Sequence, residues 1–149
     1  NFGTLSGGLK ITTKKPSLKP QGELNFGMGS WGYKKIGVSG SGGTERVRAL
    51  ISASYETGEQ YEDGDGNTLA DQVDIAIANG SAPATTAYQT QYHDVDSYTK
   101  KSIMTKLFIE TLQNQELRLS YTGNRSDDVL YANSKMDAAY DDSNIYSIE

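Results

Sequence analysis

Val47-Arg48-Ala49-Leu50-Ile51-Ser52-Ala53-Ser54-Tyr55 decides the fold class. Val47, Ala49, Ile51, Ala53 and Tyr55 alternate with Arg48, Ser52 and Ser54, and Leu50 is the one clear exception. Successive side chains of a strand point to opposite faces, so this spacing gives one apolar and one polar face. The same period extends in both directions. Upstream, Leu24, Phe26 and Met28 alternate with Glu23, Asn25 and Gly27, and Ile36 and Val38 alternate with Lys35, Gly37 and Ser39. Downstream, Ile103, Leu107 and Ile109 stand against Lys106 and Glu110, with Met104 and Phe108 blurring the pattern. Leu117, Leu119 and Tyr121 then stand against Glu116, Arg118, Ser120 and Thr122, and a sixth strand begins at Ile145.

The connections between these strands are unequal. Ser30-Trp31-Gly32-Tyr33, Ser41-Gly42-Gly43-Thr44 and Gln113-Asn114-Gln115 are short and carry turn residues, whereas the segments from about Gly58 to Lys100 and from about Asn124 to Asn144 are long and polar. In an up-and-down meander the odd connections share one end, so both long segments fall on the same side. Outer-membrane barrels have this asymmetry, with short periplasmic turns and longer extracellular loops. A soluble antiparallel sheet also alternates apolar and polar faces, which keeps a second architecture open.

The 149 residues suggest one domain, with 36% hydrophobic residues and ten tyrosines. Mean hydropathy is -0.59, and no apolar run is long enough for a transmembrane helix. Barrel strands need an apolar residue only at every second position, so a polar composition is compatible with spanning. A net charge of -5 argues against a general nucleic-acid binder, which needs a basic face. There is no cysteine, hence no disulfide framework or thiolate site. A Ser-His-Asp set, a phosphate-binding glycine loop and a zinc motif are likewise missing from the sequence, and nothing in it points to an enzyme.

Glu56, Glu59, Glu62, Asp63, Asp65, Asp71, Asp74, Asp94 and Asp96 crowd one segment without a lysine or arginine between them. Cations, or cation-bridged sugars of an outer leaflet, are its natural neighbours. Within it Asp63, Asp65 and Asn67 place oxygen ligands at alternate positions, and Asp74 stands where a calcium loop has its last carboxylate. Thr68 occupies the position such a loop gives to glycine, and the same residues also suit a solvated acidic turn. His93, with Asp94 and Asp96, offers a second metal-ligating grouping, or an ordinary solvated loop histidine.

Gly7-Gly8-Leu9-Lys10-Ile11-Thr12-Thr13-Lys14-Lys15-Pro16 resembles the end of the plug domain of TonB-dependent outer-membrane receptors, where a Gly-Gly-apolar-apolar-x-Ile-x-Thr-Lys-x-Pro pattern precedes the first barrel strand. Lys10 departs from that pattern, standing where the family usually carries an apolar or small polar residue. Gly22 to Gly32 looks like the first barrel strand with its Gly-Ser-aromatic turn, and Val38-Ser39-Gly40 like the second strand nearing its periplasmic turn. Asp128-Val129-Leu130-Tyr131-Ala132 and Met136-Asp137-Ala138 are similar to an outer loop of such receptors, including copper-receptor-like members; Met136 suits soft copper or packing on the barrel rim.

The resemblance implies an all-β, antiparallel up-and-down transmembrane barrel portion in the bacterial outer membrane. Residues 1–20 would be the end of the plug and its linker, and 21–149 about five or six strands of a barrel of about 22. It further implies active uptake of a scarce small nutrient, such as an iron-siderophore, cobalamin or a metal complex. The partners would be outer-membrane lipid or lipopolysaccharide and the TonB–ExbB–ExbD energy-transducing complex, engaged through an upstream segment. The chain shows no signal peptide, opens within a Gly-rich segment and stops in mid-strand, as an internal piece of a longer protein does. Trp31, Tyr33, Tyr55 and Tyr121 are then expected near the outer strand ends, at the membrane–water boundary. The alternative is a soluble or cell-surface all-β binding or adhesion domain whose acidic loop holds calcium.

Overall fold

The computed structural model describes residues 14–87, 93, 96–129 and 138–149. Residues 7–13 of the plug-like motif, Asp94, and residues 130–137, which include Met136, lie outside the described residues. The described chain forms one six-stranded antiparallel sheet in sequence order: β1 (Gln21–Met28), β2 (Lys34–Gly43), β3 (Val47–Gly58), β4 (Tyr98–Leu112), β5 (Gln115–Val129) and β6 (Ala138–Ile148). This all-β, up-and-down sheet is open, with β1 and β6 at its edges.

Local chemistry explains the tight turns. Between β1 and β2 the Tyr33 amide donates to the Ser30 carbonyl at 3.2 Å, with Trp31 at φ 52° and Gly32 at φ 60°. Two successive left-handed residues give the hairpin turn whose twist matches its strands. Gly43, at φ 155°, precedes the β2–β3 turn, and a Cβ there would run into the Val47 carbonyl. Thr44 then closes the turn, its amide donating to Val47 O at 2.7 Å and its hydroxyl accepting from the Val47 amide at 3.2 Å. Asn114, at φ 62°, makes the β4–β5 turn.

The ladder extends beyond the apolar alternation. Residues 124–144 were expected as one long loop, yet β5 runs to Val129 and β6 starts at Ala138. The sequence there is polar on both faces, so period-two hydrophobicity vanishes while pairing continues, held by contacts such as Arg125 to Asp142. Among the described residues, the segment from Gly58 to Lys100 carries helix α1 (Leu69–Ala78) and a 3-10 turn at Ala84–Thr86, and β4 begins at Tyr98.

Direct register partners share a face. One face carries Leu24, Phe26, Val38, Ile51, Leu107 and Leu119, and it is bare: Phe26 is 72% and Ile51 55% exposed. Its upper limit is Met28 on β1, Ile36 on β2, Tyr55 on β3, Ile103 on β4, Tyr121 on β5 and Tyr146 on β6. Traced through the register to β1, these fall at positions 28, 26, 26, 24, 22 and 22. At about 3.3 Å per residue and 4.8 Å per strand, the band descends roughly 20 Å while crossing roughly 24 Å of sheet. It is therefore inclined by about 40° to the register rows, within the range of strand tilt in closed barrels.

Candidate functional site

The opposite face is polar and carries the chain that precedes the sheet. Ser41, Leu50 and Lys106 are direct partners in one row. Ser17 and Ser41 hydroxyls meet at 2.9 Å above one end of it, and Lys106 Nζ donates to the Lys14 carbonyl at 2.9 Å above the other. Lys14 also pairs with Glu23 on the same face. Residues 14–17 thus form a strap lying across the polar face, with Pro16 buried. Leu50, the exception to the alternation, is 5% exposed beneath this crossing. Its apolar side chain is explained by what covers it.

Phe108, which with Met104 blurs the alternation of β4, occupies the next row with Arg48 and Arg118 as its direct partners. The two guanidinium carbons lie 5.6 and 5.2 Å from its ring centroid, and Glu116 pairs with both arginines. An aromatic ring can thus be buried on a polar wall, because both flanking cations are drawn to its electron-rich faces.

At the end where β1, β3 and β5 finish, the first hairpin meets the long connection. Trp31 packs edge-on against Tyr61 at 5.4 Å, and the Glu59 amide donates to the Trp31 carbonyl at 2.9 Å. The Glu59 side chain fills the space beside Gly32, which leaves no room there for a Cβ. Ser97, a buried residue, closes the base of the connection by donating its hydroxyl to the Gly58 and Glu59 carbonyls, each at 3.0 Å. Thr57 adds a hydroxyl bond to Asp96 at 2.6 Å.

The acidic residues read as calcium ligands have local structural partners. Asp63 Oδ1 accepts from the amides of Asp65 and Asn67, both at 2.9 Å, and the Asn67 side-chain amide also donates to Asp63. Asp63 and Asn67 are therefore brought together, while Asp65 contributes its backbone. Asp74 lies on α1, where its carboxylate is 3.9 Å from His93 Nε2. Thr68 and Asp71 form a reciprocal capping box at the start of α1. Among the described residues no three His, Cys, Asp or Glu side chains gather closely enough to hold a metal ion.

These bonds carry a pH signature. Asp63 is held below the ordinary carboxylate range by the Asn67 backbone and side-chain donors, and Asp71 by the Thr68 amide and hydroxyl. A depressed folded-state pKa stabilises the fold above the unfolded value, and that contribution is lost as pH falls through the folded value. Amide exchange at Asp71 and Gln72 should thus stay slow from neutrality to about pH 4, the ordinary aspartate value, and accelerate below it. In the Asp71→Asn variant the same amides should exchange faster at neutral pH. Protection lost already near pH 6, or unchanged in that variant, would refute this assignment.

The register exposes a further group that the sequence pattern hid. Lys101, Arg125 and Asp142 stand in one row on the apolar band's face, one face position beyond its upper limit on β4 and two beyond it on β5 and β6. Their juxtaposition requires the pairing of three strands and leaves no local motif. The capping box, by contrast, was legible as Thr68-x-x-Asp71 ahead of an apolar-periodic segment. Comparison with protein-family models, characterised proteins and solved structures finds no match.

Proposed function

We propose that the chain is part of the barrel wall of a TonB-dependent outer-membrane receptor, preceded by the end of its plug. The inclined apolar band carries this reading. A soluble sheet has no reason to shift its apolar band steadily across successive strands, whereas strands tilted in a bilayer must do so to keep the band level with the membrane. The lipid-facing band of such barrels is about 25 Å tall. On β3 it runs from Val47 to Tyr55, about 27 Å along the strand and about 20 Å in height at that tilt.

The strap supports the second half of the proposal. A chain leaving a plug must run along the barrel interior, and Lys14 to Ser17 lie on the polar face, opposite the band. The first hairpin and the long acidic connection then face outside. In this reading the receptor captures a scarce nutrient, such as an iron-siderophore, cobalamin or a metal complex, and TonB–ExbB–ExbD supplies the energy that moves the plug.

Detergent dependence and vesicle flotation test the membrane location. The purified 149-residue chain is expected to require detergent and, once refolded with phosphatidylcholine vesicles, to float with them after alkaline washing. A monodisperse, detergent-free monomer that unfolds cooperatively would overturn the proposal in favour of a soluble all-β binding domain.

A further inference from the structure

Asn79-Gly80 is the only asparagine-glycine step in the sequence, and it closes helix α1. Asn79 is the C-cap, at φ -89° and ψ 3°, and Gly80 follows at φ 78°, the left-handed conformation that commonly ends a helix. Both residues are exposed, and nothing lies within 4 Å of where a Gly80 side chain would stand. Water and hydroxide therefore reach this step freely. Glycine is also the residue whose own nitrogen is least hindered as a nucleophile, because no Cβ shields it.

The folded helix holds that nitrogen back. The Gly80 amide donates to the Ile77 carbonyl at 3.1 Å, and with Asn79 ψ at 3° it is turned away from the Asn79 side chain. The Ser81 amide fixes the side chain in its turn, donating to Asn79 Oδ1 at 3.0 Å and to the Ala76 carbonyl at 2.8 Å. Ring closure on Asn79 Cγ thus requires the last turn of α1 to open. With ten residues, α1 is short enough that its two ends open together, so the Thr68–Asp71 capping box at its start also guards its end.

We propose that Asn79-Gly80 is a self-modification site, at which opening of the last turn of α1 lets the asparagine convert to aspartate and isoaspartate. Hydroxide takes the Gly80 amide proton, and the nitrogen electron pair forms a bond to Asn79 Cγ. The Cγ–Nδ2 bond breaks, and the amide nitrogen takes up a proton and leaves as ammonia. Water then opens the resulting succinimide, at Cγ to give aspartate or at the main-chain carbonyl carbon to give isoaspartate. One water is consumed for each ammonia released, and no other reactant enters.

Conversion does not leave the helix as it was. It places a carboxylate at the C-terminus of α1, where the helix dipole favours a cation and the last turn carries no basic residue. Isoaspartate also carries the main chain through Cβ and Cγ, one atom longer, so the Gly80 and Ser81 amides lose their register with the Ile77 and Ala76 carbonyls. A helix end that has opened once is thereby kept open. The site depends on neither the membrane location nor the plug.

Peptide mass mapping of the full chain, refolded in dodecylmaltoside and held at mildly alkaline pH, tests it. The peptide containing Asn79 should gain the mass of an amide-to-acid exchange, with backbone fragments that separate isoaspartate from aspartate. Asn114, exposed in a turn but followed by Gln115, should stay unconverted over the same period. Thr68→Ala, which removes the capping hydroxyl, should speed conversion about fivefold, and unfolding in urea should speed it further. Once converted, the chain should show faster amide exchange at Gly80 and Ser81. Conversion at Asn79 no faster than at Asn114, or a rate that neither Thr68→Ala nor urea raises, would overturn the site, and unchanged exchange after conversion would overturn its effect on α1.

Discussion

Arginine in place of Ile51 is expected to prevent stable insertion into vesicles, whereas arginine in place of Ser54, three residues along the same strand, should be tolerated. Ile51 sits at the middle of the β3 band on the apolar face. A guanidinium at the midplane of a barrel's lipid face costs about 2–4 kcal/mol. Ser54 points to the other face, between its direct partners Gly37 and Ser102, where small side chains leave space and water can reach the charge. Flotation yield and heat-modifiable mobility in gels measure the difference. Equal yields for the two variants would show that the faces are not distinguished by lipid, and a defect larger at Ser54 than at Ile51 would reverse the assignment.

The second large effect is expected at Phe108. Its replacement by alanine removes the ring between Arg48 and Arg118 and leaves two like charges facing a cavity. Burial at 7% exposure puts the loss at about 3 kcal/mol or more, the usual cost of a Phe-to-Ala change. Urea unfolding of the refolded protein in micelles measures this, with Phe108→Leu expected to recover part of the loss. A change below about 1 kcal/mol would mean that the ring is not held as the geometry indicates. Ile109→Ala, on the apolar face one residue away, is the useful contrast, because an isoleucine against lipid leaves no comparable cavity when shortened.

Strand identity was legible wherever one face is apolar. Leu24 to Met28, Val47 to Tyr55 and Leu117 to Tyr121 all lie in strands on the face their alternation indicates. The limits of β5 and β6 were not, because Asn124 to Asp128 and Tyr140 to Asn144 are polar on both faces and are paired by backbone and charge instead. Leu50 and Phe108 broke the pattern for reasons outside their own strand: one underlies a strap from residues 14–17, the other is enclosed by arginines from neighbouring strands. Helix α1 lies within the acidic segment, where its only local signal is the Thr68-x-x-Asp71 start and the surrounding carboxylates suit metal ligation equally well. The cluster of Lys101, Arg125, Asp127 and Asp142 has no signal in any short stretch, because only the pairing of β4, β5 and β6 brings these residues together.

The inclination of the band is the most direct physical claim. The chain contains no cysteine, so single cysteines can be introduced and spin-labelled without background. In vesicles, relative accessibility to oxygen and to a polar nickel complex gives the depth of each label. Labels at Met28 and Tyr121 are six register positions apart, yet they should report nearly equal depth at the outer boundary. Labels at Gly22 and Tyr121 share one register row, yet should differ in depth by roughly 12 Å, four strand spacings at a tilt of about 40°. Equal depth for Gly22 and Tyr121, or no oxygen excess at Ile51 and Leu119, would contradict a tilted, lipid-facing wall.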